Sequence, residues 1–304
     1  MNISSAHISA IIAFSLWGLF PLYWKIFTEL SSWDLFAHRL LWSFVTLTIL
    51  VVYKRNFQAI KNIWATPRLR YMLIASAILI SSNWLLYIYA ISIGKVLEAS
   101  MGYFLNPLLN VFMGWLLLKE KMRVTQWPSI ILACIAMLII AFQTNLQNFP
   151  WIALTLSLTF ALYGLLRKIA HVGSTEGLTF ETSIVIIPTM LYWFTLPSTP
   201  LTAFEILPLW KLLTLLLSGL VTCIPLVLFA FSAKRLPLRT LGFIQYLSPS
   251  LKFVCGLFIL KEALTPEKLQ AFCLIWIALV WYTFESFYFS QKEAKKLSLS
   301  SRNK

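Results

Sequence analysis

The sequence predicts an all-α polytopic membrane protein: ten transmembrane helices built as two five-helix repeats of opposite orientation. Three observations predict it. Apolar runs of about 20 residues, the length that crosses a bilayer as a helix, recur along the whole chain. Of the 304 residues 59% are hydrophobic and only 12% charged, about half the charged share of a soluble domain. Finally, one stretch occurs twice: Tyr103 to Glu120 aligns without a gap on Gln245 to Glu262, at an offset of 142 residues. Seven positions are identical, namely Leu105/Leu247, Pro107/Pro249, Leu109/Leu251, Gly114/Gly256, Leu118/Leu260, Lys119/Lys261 and Glu120/Glu262.

The spans expected from the apolar runs cover about residues 8–27, 35–53, 71–93, 96–118, 125–143, 149–167, 178–196, 211–233, 238–260 and 269–289. The first and sixth share a pattern, Phe14-Ser-Leu-Trp17-Gly18 against Phe160-Ala-Leu-Tyr163-Gly164. The third and eighth share Tyr87-Ile-Tyr89 against Phe229-Ala-Phe231. Residues 1–145 therefore read as one repeat and 146–290 as the second, followed by a basic tail, 291–304, expected to be disordered. Five spans is an odd number, so the second copy enters the membrane inverted. Such repeats are the structural basis of alternating access. Spans four and nine carry Pro107 and Pro249 at mid-span, where a proline frees a backbone carbonyl and kinks the helix. Interrupted helices at matching places in two halves point to a transporter's binding site.

Orientation follows from the loops. With the amino terminus in the cytoplasm, 18 lysines and arginines fall on the cytoplasmic side and 5 on the other. The net charge of +14 then reflects topology and anionic headgroups rather than nucleic acid. Both termini are expected in the cytoplasm, and the amino-terminal run is too long to read as a cleavable leader. Cys134, Cys223, Cys255 and Cys273 all lie in apolar runs without a Cys-x-x-Cys pair, as small packing residues.

Polar side chains at mid-membrane are costly and need a purpose. Tyr103, Asn106 and Asn110 fall on one face of span four, and Gln245, Ser248 and Lys252 are their repeat equivalents on span nine. The two stripes are expected to face each other. Asn83 and Tyr87 of span three, Trp17 of span one, Tyr163 of span six and Tyr246 of span nine complete an aromatic wall suited to a small, partly apolar solute. Lys252, a cation in mid-span, is expected to face the cavity and attract negative charge. Arg39 and Glu98 lie near one membrane face and Arg239 and Glu181 near the other. Two ion pairs, Arg39–Glu98 and Arg239–Glu181, are expected to gate alternately. His7, His38 and His171 have no ligand spacing, and no enzyme signature is present. No metal and no bound cofactor is expected.

Longer motifs run through the chain: Trp17-Gly-Leu-Phe-Pro-Leu-Tyr-Trp-Lys25, His38-Arg-Leu-Leu-Trp-Ser43, Asn83-Trp-Leu-Leu-Tyr87 and Glu98-Ala-Ser-Met-Gly-Tyr-Phe-Leu-Asn-Pro107. Ser174-Thr-Glu-Gly-Leu-Thr-Phe-Glu181, Thr222-Cys-Ile-Pro225 and Leu241-Gly-Phe-Ile-Gln-Tyr246 follow. In these the sequence resembles the RarD family, labelled chloramphenicol-sensitive, in the EamA branch of the drug/metabolite transporter superfamily. The resemblance implies ten helices, two EamA repeats, a bacterial inner-membrane location and a secondary transporter of small organic metabolites or drugs. The partners implied are a small-molecule solute and the lipid bilayer, with no nucleic acid, and a homodimer is left open. Two alternatives stay open: a lipid flippase or scramblase, and a membrane enzyme or assembly factor.

Overall fold

The computed structural model describes residues 3–119, 123–143, 149–195, 202–233, 236 and 244–302, and among these it is helical with no strand. The helices are α1 (Ile3–Trp24), α2 (Ser32–Lys54), α3 (Phe57–Ala65), α4 (Pro67–Ser92), α5 (Val96–Leu118), α6 (Trp127–Gln143), α7 (Trp151–Ala170), α8 (Ser174–Trp193), α9 (Thr202–Ile206), α10 (Leu209–Leu216), α11 (Ser218–Ala233), α12 (Leu247–Val254) and α13 (Pro266–Arg302). Among the described residues five stretches are long and apolar enough to cross a membrane: Ser5–Trp24, Ser32–Lys54, Pro67–Ser92, Leu209–Phe229 and Pro266–Phe289. Shorter apolar helices accompany them. Large apolar side chains such as Ile8, Ile49, Ile78, Leu191, Phe258 and Phe284 stand exposed on the outside of the bundle. That surface suits hydrocarbon, where helices satisfy their own backbone groups. The chain is a polytopic membrane protein.

Local chemistry sets the helix limits. The Ser31 hydroxyl accepts from the Asp34 N–H (3.1 Å) and so caps α2. Pro67 opens α4 at a position whose N–H has no helical partner in any case. Arg55, Lys119, His171 and Lys261 adopt φ of 50–55°, the left-handed turn that stops a helix. Lys119 and Lys261 are repeat equivalents. Beyond Lys252 the ninth predicted span widens into a π turn, Cys255–Ile259.

Three features differ from the sequence expectation. The short α3 lies between spans, too short for a span search to find. The eighth span is divided into α10 and α11 at Leu217. The tail expected to be disordered continues α13 as helix to Arg302, because Gln291, Lys292, Glu293, Ala294 and Lys295 are good helix formers.

Packing is pairwise between the two halves of the chain. α1 packs on α11 and α12, and α4 packs on α7 and α8. α2 lies against α8 and α11, α5 against α7 and α12, and α6 against α13. Two glycines permit close approaches. A Cβ on Gly18 would stand 2.6 Å from the Leu251 Cβ, and one on Gly102 would stand 2.6 Å from the Ala153 carbonyl oxygen. So α1 meets α12, and α5 meets α7, at separations a larger residue would widen. One buried cluster joins α1, α2, α4, α7 and α8 through Trp24, Phe36, Trp84 and Tyr87. A second joins α5, α6 and α13 through Met101, Phe104, Met137 and Phe272. Helices α5 and α12 stand between the two.

Candidate solute-binding site

Tyr103, on α5, is the hub. Its hydroxyl donates to Asn83 Oδ1 on α4 (3.2 Å). The Asn83 amide in turn donates to the Leu156 carbonyl (2.8 Å) and the Thr159 hydroxyl (2.9 Å) on α7. Asn83 therefore ties three helices together and fixes the Tyr103 ring. Edge-to-face contacts extend the wall, Tyr87 at 5.7 Å and Phe160 at 6.1 Å from Tyr103, and Tyr163 follows at 6.0 Å from Phe160 in a tilted contact. The Lys252 ammonium, from α12, lies 3.7 Å from the Tyr103 ring centre and 5.0 Å from that of Tyr87. The two helices meet directly where the Ser100 hydroxyl donates to the Pro249 carbonyl (2.7 Å). Span four thus does meet span nine beside its proline.

The remaining predicted residues divide. Asn106, one turn beyond Tyr103, is buried, and its Oδ1 has no hydrogen-bond partner. Ser248 is buried against α1, its carbonyl 3.1 Å from where a Gly18 Cβ would lie. Gln245 is half-buried, and its carbonyl accepts from the Ser248 N–H (3.2 Å). Trp17 packs on Phe14 (5.3 Å) and Phe229 (5.7 Å), at the edge of the first cluster. Tyr246 packs instead on the second cluster, away from the Tyr87–Tyr103 wall, and its hydroxyl is buried without a partner. Asn110 lies on α5, and Arg239 falls outside the described residues.

The expected Arg39–Glu98 pair is not formed. Glu98, in the first turn of α5, accepts from the Ile152 N–H at the start of α7 (3.0 Å), with Lys95 at 3.4 Å. A helix N-terminus offers unpaired N–H groups and a partial positive charge, and it captures the carboxylate. Arg39 sits deeper, its guanidinium carbon 4.2 Å over Trp84, 5.3 Å from Trp24 and 5.7 Å from Phe20. Glu181, expected opposite Arg239, faces Arg167 at 3.6 Å and accepts from the Ser76 hydroxyl at 2.6 Å.

Sequence reasoning missed this aromatic box, though Phe20 and Trp24, four apart on α1, were a usable signal. It missed Glu262 as well. That side chain crosses to the start of α5 and accepts from the Val96 N–H (2.6 Å) and the Leu97 N–H (2.8 Å). Burial pushes its carboxyl above the ordinary carboxylate value, opposed by those two donors. A shallow apolar groove of about 410 Å³, lined by Ser32, Trp33, Ser82, Leu85, Leu86 and Tyr89, carries no charge and lies apart from this site.

Comparison with known proteins agrees with this architecture. The EamA-like transporter family matches residues 4–142. A solved crystal structure superposes with a TM-score of 0.60 at 16% identity, covering 93% of this chain and 98% of that one, which shows the fold. The class is thus a membrane transporter of the drug/metabolite type. YojE of Bacillus subtilis, named as an uncharacterized transporter, is 38% identical over 95% of both chains. Protein RarD of Escherichia coli is 35% identical over 94% of this chain and 96% of its own. The chain belongs to the RarD family within the EamA branch.

Proposed function

We propose that the chain is a secondary carrier for small organic metabolites or drugs. It holds the solute near mid-bilayer between α4, α5, α11 and α12 and exposes it to each side in turn. One observation carries the reading. Around the α5–α12 crossing, groups that burial should force into partnership stand open: Asn106 Oδ1 and the Tyr87 hydroxyl. Buried polar groups without partners are rare in a finished core. They are expected where a solute supplies the missing bonds.

The packing supports an inverted repeat. Exchanging the halves turns the α1–α11 contact into the α7–α4 contact, and the α5–α7 contact into the α12–α1 contact. The repeat-equivalent Lys119 and Lys261 stop their helices with the same left-handed turn. With ten spans and the basic loops inside, both termini lie in the cytoplasm. Glu98 on α7 and Glu262 on α5 then latch the extracytoplasmic end, while Arg167 and Glu181 hold the cytoplasmic end. The test is flux. Purified protein in liposomes should accumulate a solute that raises its thermal stability, and Asn106→Leu should lower that flux at least tenfold. Solutes that bind the protein but never cross the liposome membrane would contradict a carrier.

A further inference from the structure

Arg39 and Lys252 are both 4% exposed. Neither has a carboxylate within ion-pair distance among the described residues; Glu98 is engaged by Lys95 and the α7 N-terminus, and Glu181 by Arg167. The two cations stand over neighbouring rings of one helix: Arg39 over Trp84 and Lys252 over Tyr87, three residues apart on α4 and so on one face, with Lys252 also 3.7 Å from the Tyr103 ring centre. Aromatic faces help a desolvated cation by about 2 kcal/mol, whereas desolvating each ion costs several kcal/mol. Two mutually repelling cations are therefore under-compensated by the rings alone.

Four of the unpaired atoms beside them can donate. Arg39 Nε and Nη1, Trp24 Nε1 and the Tyr87 hydroxyl are all donors, all buried, and all without an acceptor. Water could satisfy such donors, but it would leave both positive charges uncompensated. A carboxylate or phosphate oxygen satisfies both needs. The surroundings then define the rest of the ligand: Phe20, Trp24, Trp84, Tyr87 and Tyr103 offer ring faces that an inorganic ion would not use.

We infer that Arg39 and Lys252 form one anion site and that the cargo is a small organic anion, its charged end between these two side chains and its apolar body against the aromatic wall. This rests on the carrier reading above and gives it a substrate class. Lys252 enters from α12 and Arg39 from α2, so the bound anion bridges the two halves of the chain. The planar guanidinium can take two oxygens at once, while the ammonium acts as a point charge.

Matched ligand pairs test this on full-length purified protein: benzoate and benzamide, phenylacetate and phenylacetamide, phenyl phosphate and phenol. Chloride, sulfate and inorganic phosphate serve as controls. At least one organic anion should stabilise the protein saturably and bind at least tenfold more tightly than its neutral partner. Lys252→Met should weaken that binding tenfold or more, and Arg39→Gln more than Arg39→Lys. If the Arg39 variants do not fold, the Lys252→Met result decides. The inference is overturned if no anion outcompetes its neutral partner, if inorganic anions alone reproduce the effect, or if Lys252→Met binds the anion normally. Flux of a neutral solute that Lys252→Met leaves unchanged overturns the anion site and spares the carrier. An anion that binds here and is never translocated does the reverse.

Discussion

Asn83 and Tyr103 give the sharpest prediction about what holds the site in shape. Asn83 is buried and makes three bonds: two from its amide to α7 and one accepted from Tyr103. Interhelical hydrogen bonds inside membranes are worth about 0.6 kcal/mol each, so the three together contribute about 2 kcal/mol. Asn83→Ala also strands the Tyr103 hydroxyl, which adds about 1 kcal/mol, the low end of the penalty for an unpaired polar group. The single variant should therefore cost about 3 kcal/mol, and Tyr103→Phe about 1 kcal/mol, one bond with its acceptor left open. In the double variant nothing is stranded between the two positions, and the cost falls to about 2 kcal/mol, so the coupling is about 2 kcal/mol. Unfolding in lipid bicelles, titrated with a denaturing detergent and followed by tryptophan fluorescence, measures all four corners of the cycle. Additivity within about 0.4 kcal/mol, the usual scatter for independent sites, would show that the bond does not hold Tyr103 in place.

Gly18→Val should fail to assemble tightly. Its Cβ would stand 2.6 Å from Leu251, and relieving such overpacking costs about 1–3 kcal/mol; a lowered unfolding midpoint together with weakened solute binding is expected. At Glu262, burial has raised the carboxyl, so its contribution is full below the ordinary carboxylate value and is lost as pH rises through the raised one. Wild type should therefore melt at a higher temperature near pH 5 than near pH 8 relative to Glu262→Gln, which holds the neutral form, while Glu262→Ala melts lower than Glu262→Gln at both. Arg123 meets Glu285 through two bonds of 2.7 and 3.0 Å, with Thr125 adding a third to the same carboxylate. Arg123→Glu should lower stability by about 1 kcal/mol, because the Arg123 side chain is 36% exposed and water screens the pair, and Glu285→Arg in the same chain should restore part of it.

Much of this architecture was written in the periodicity. Long apolar runs and two stalled prolines located α5 and α12, because each property is local to its own segment. The Tyr103–Asn106 face was equally legible, since three- and four-residue spacing places side chains on one stripe. What escaped was partnership across the bundle. Glu98 reads as a candidate for Arg39 by depth alone, yet the first turn of α7 lies closer and offers free N–H groups. No spacing rule reports which helix end arrives opposite a given carboxylate. Arg39 likewise looked like half of an ion pair, and its aromatic box comes from α1 and α4, far apart in sequence. Tyr246 shows the same limit: its ring packs on the second buried cluster, away from the Tyr87–Tyr103 wall, and sequence spacing does not say which cluster a ring will meet.

Asn106→Cys, in a chain whose four native cysteines are replaced by serine, tests alternating access at the α5–α12 crossing most directly. A membrane-impermeant maleimide is applied to intact cells and, separately, to inside-out vesicles. The carrier account predicts labelling from both sides, slowed on both by a bound solute. Labelling from one side only, or from neither, would contradict it.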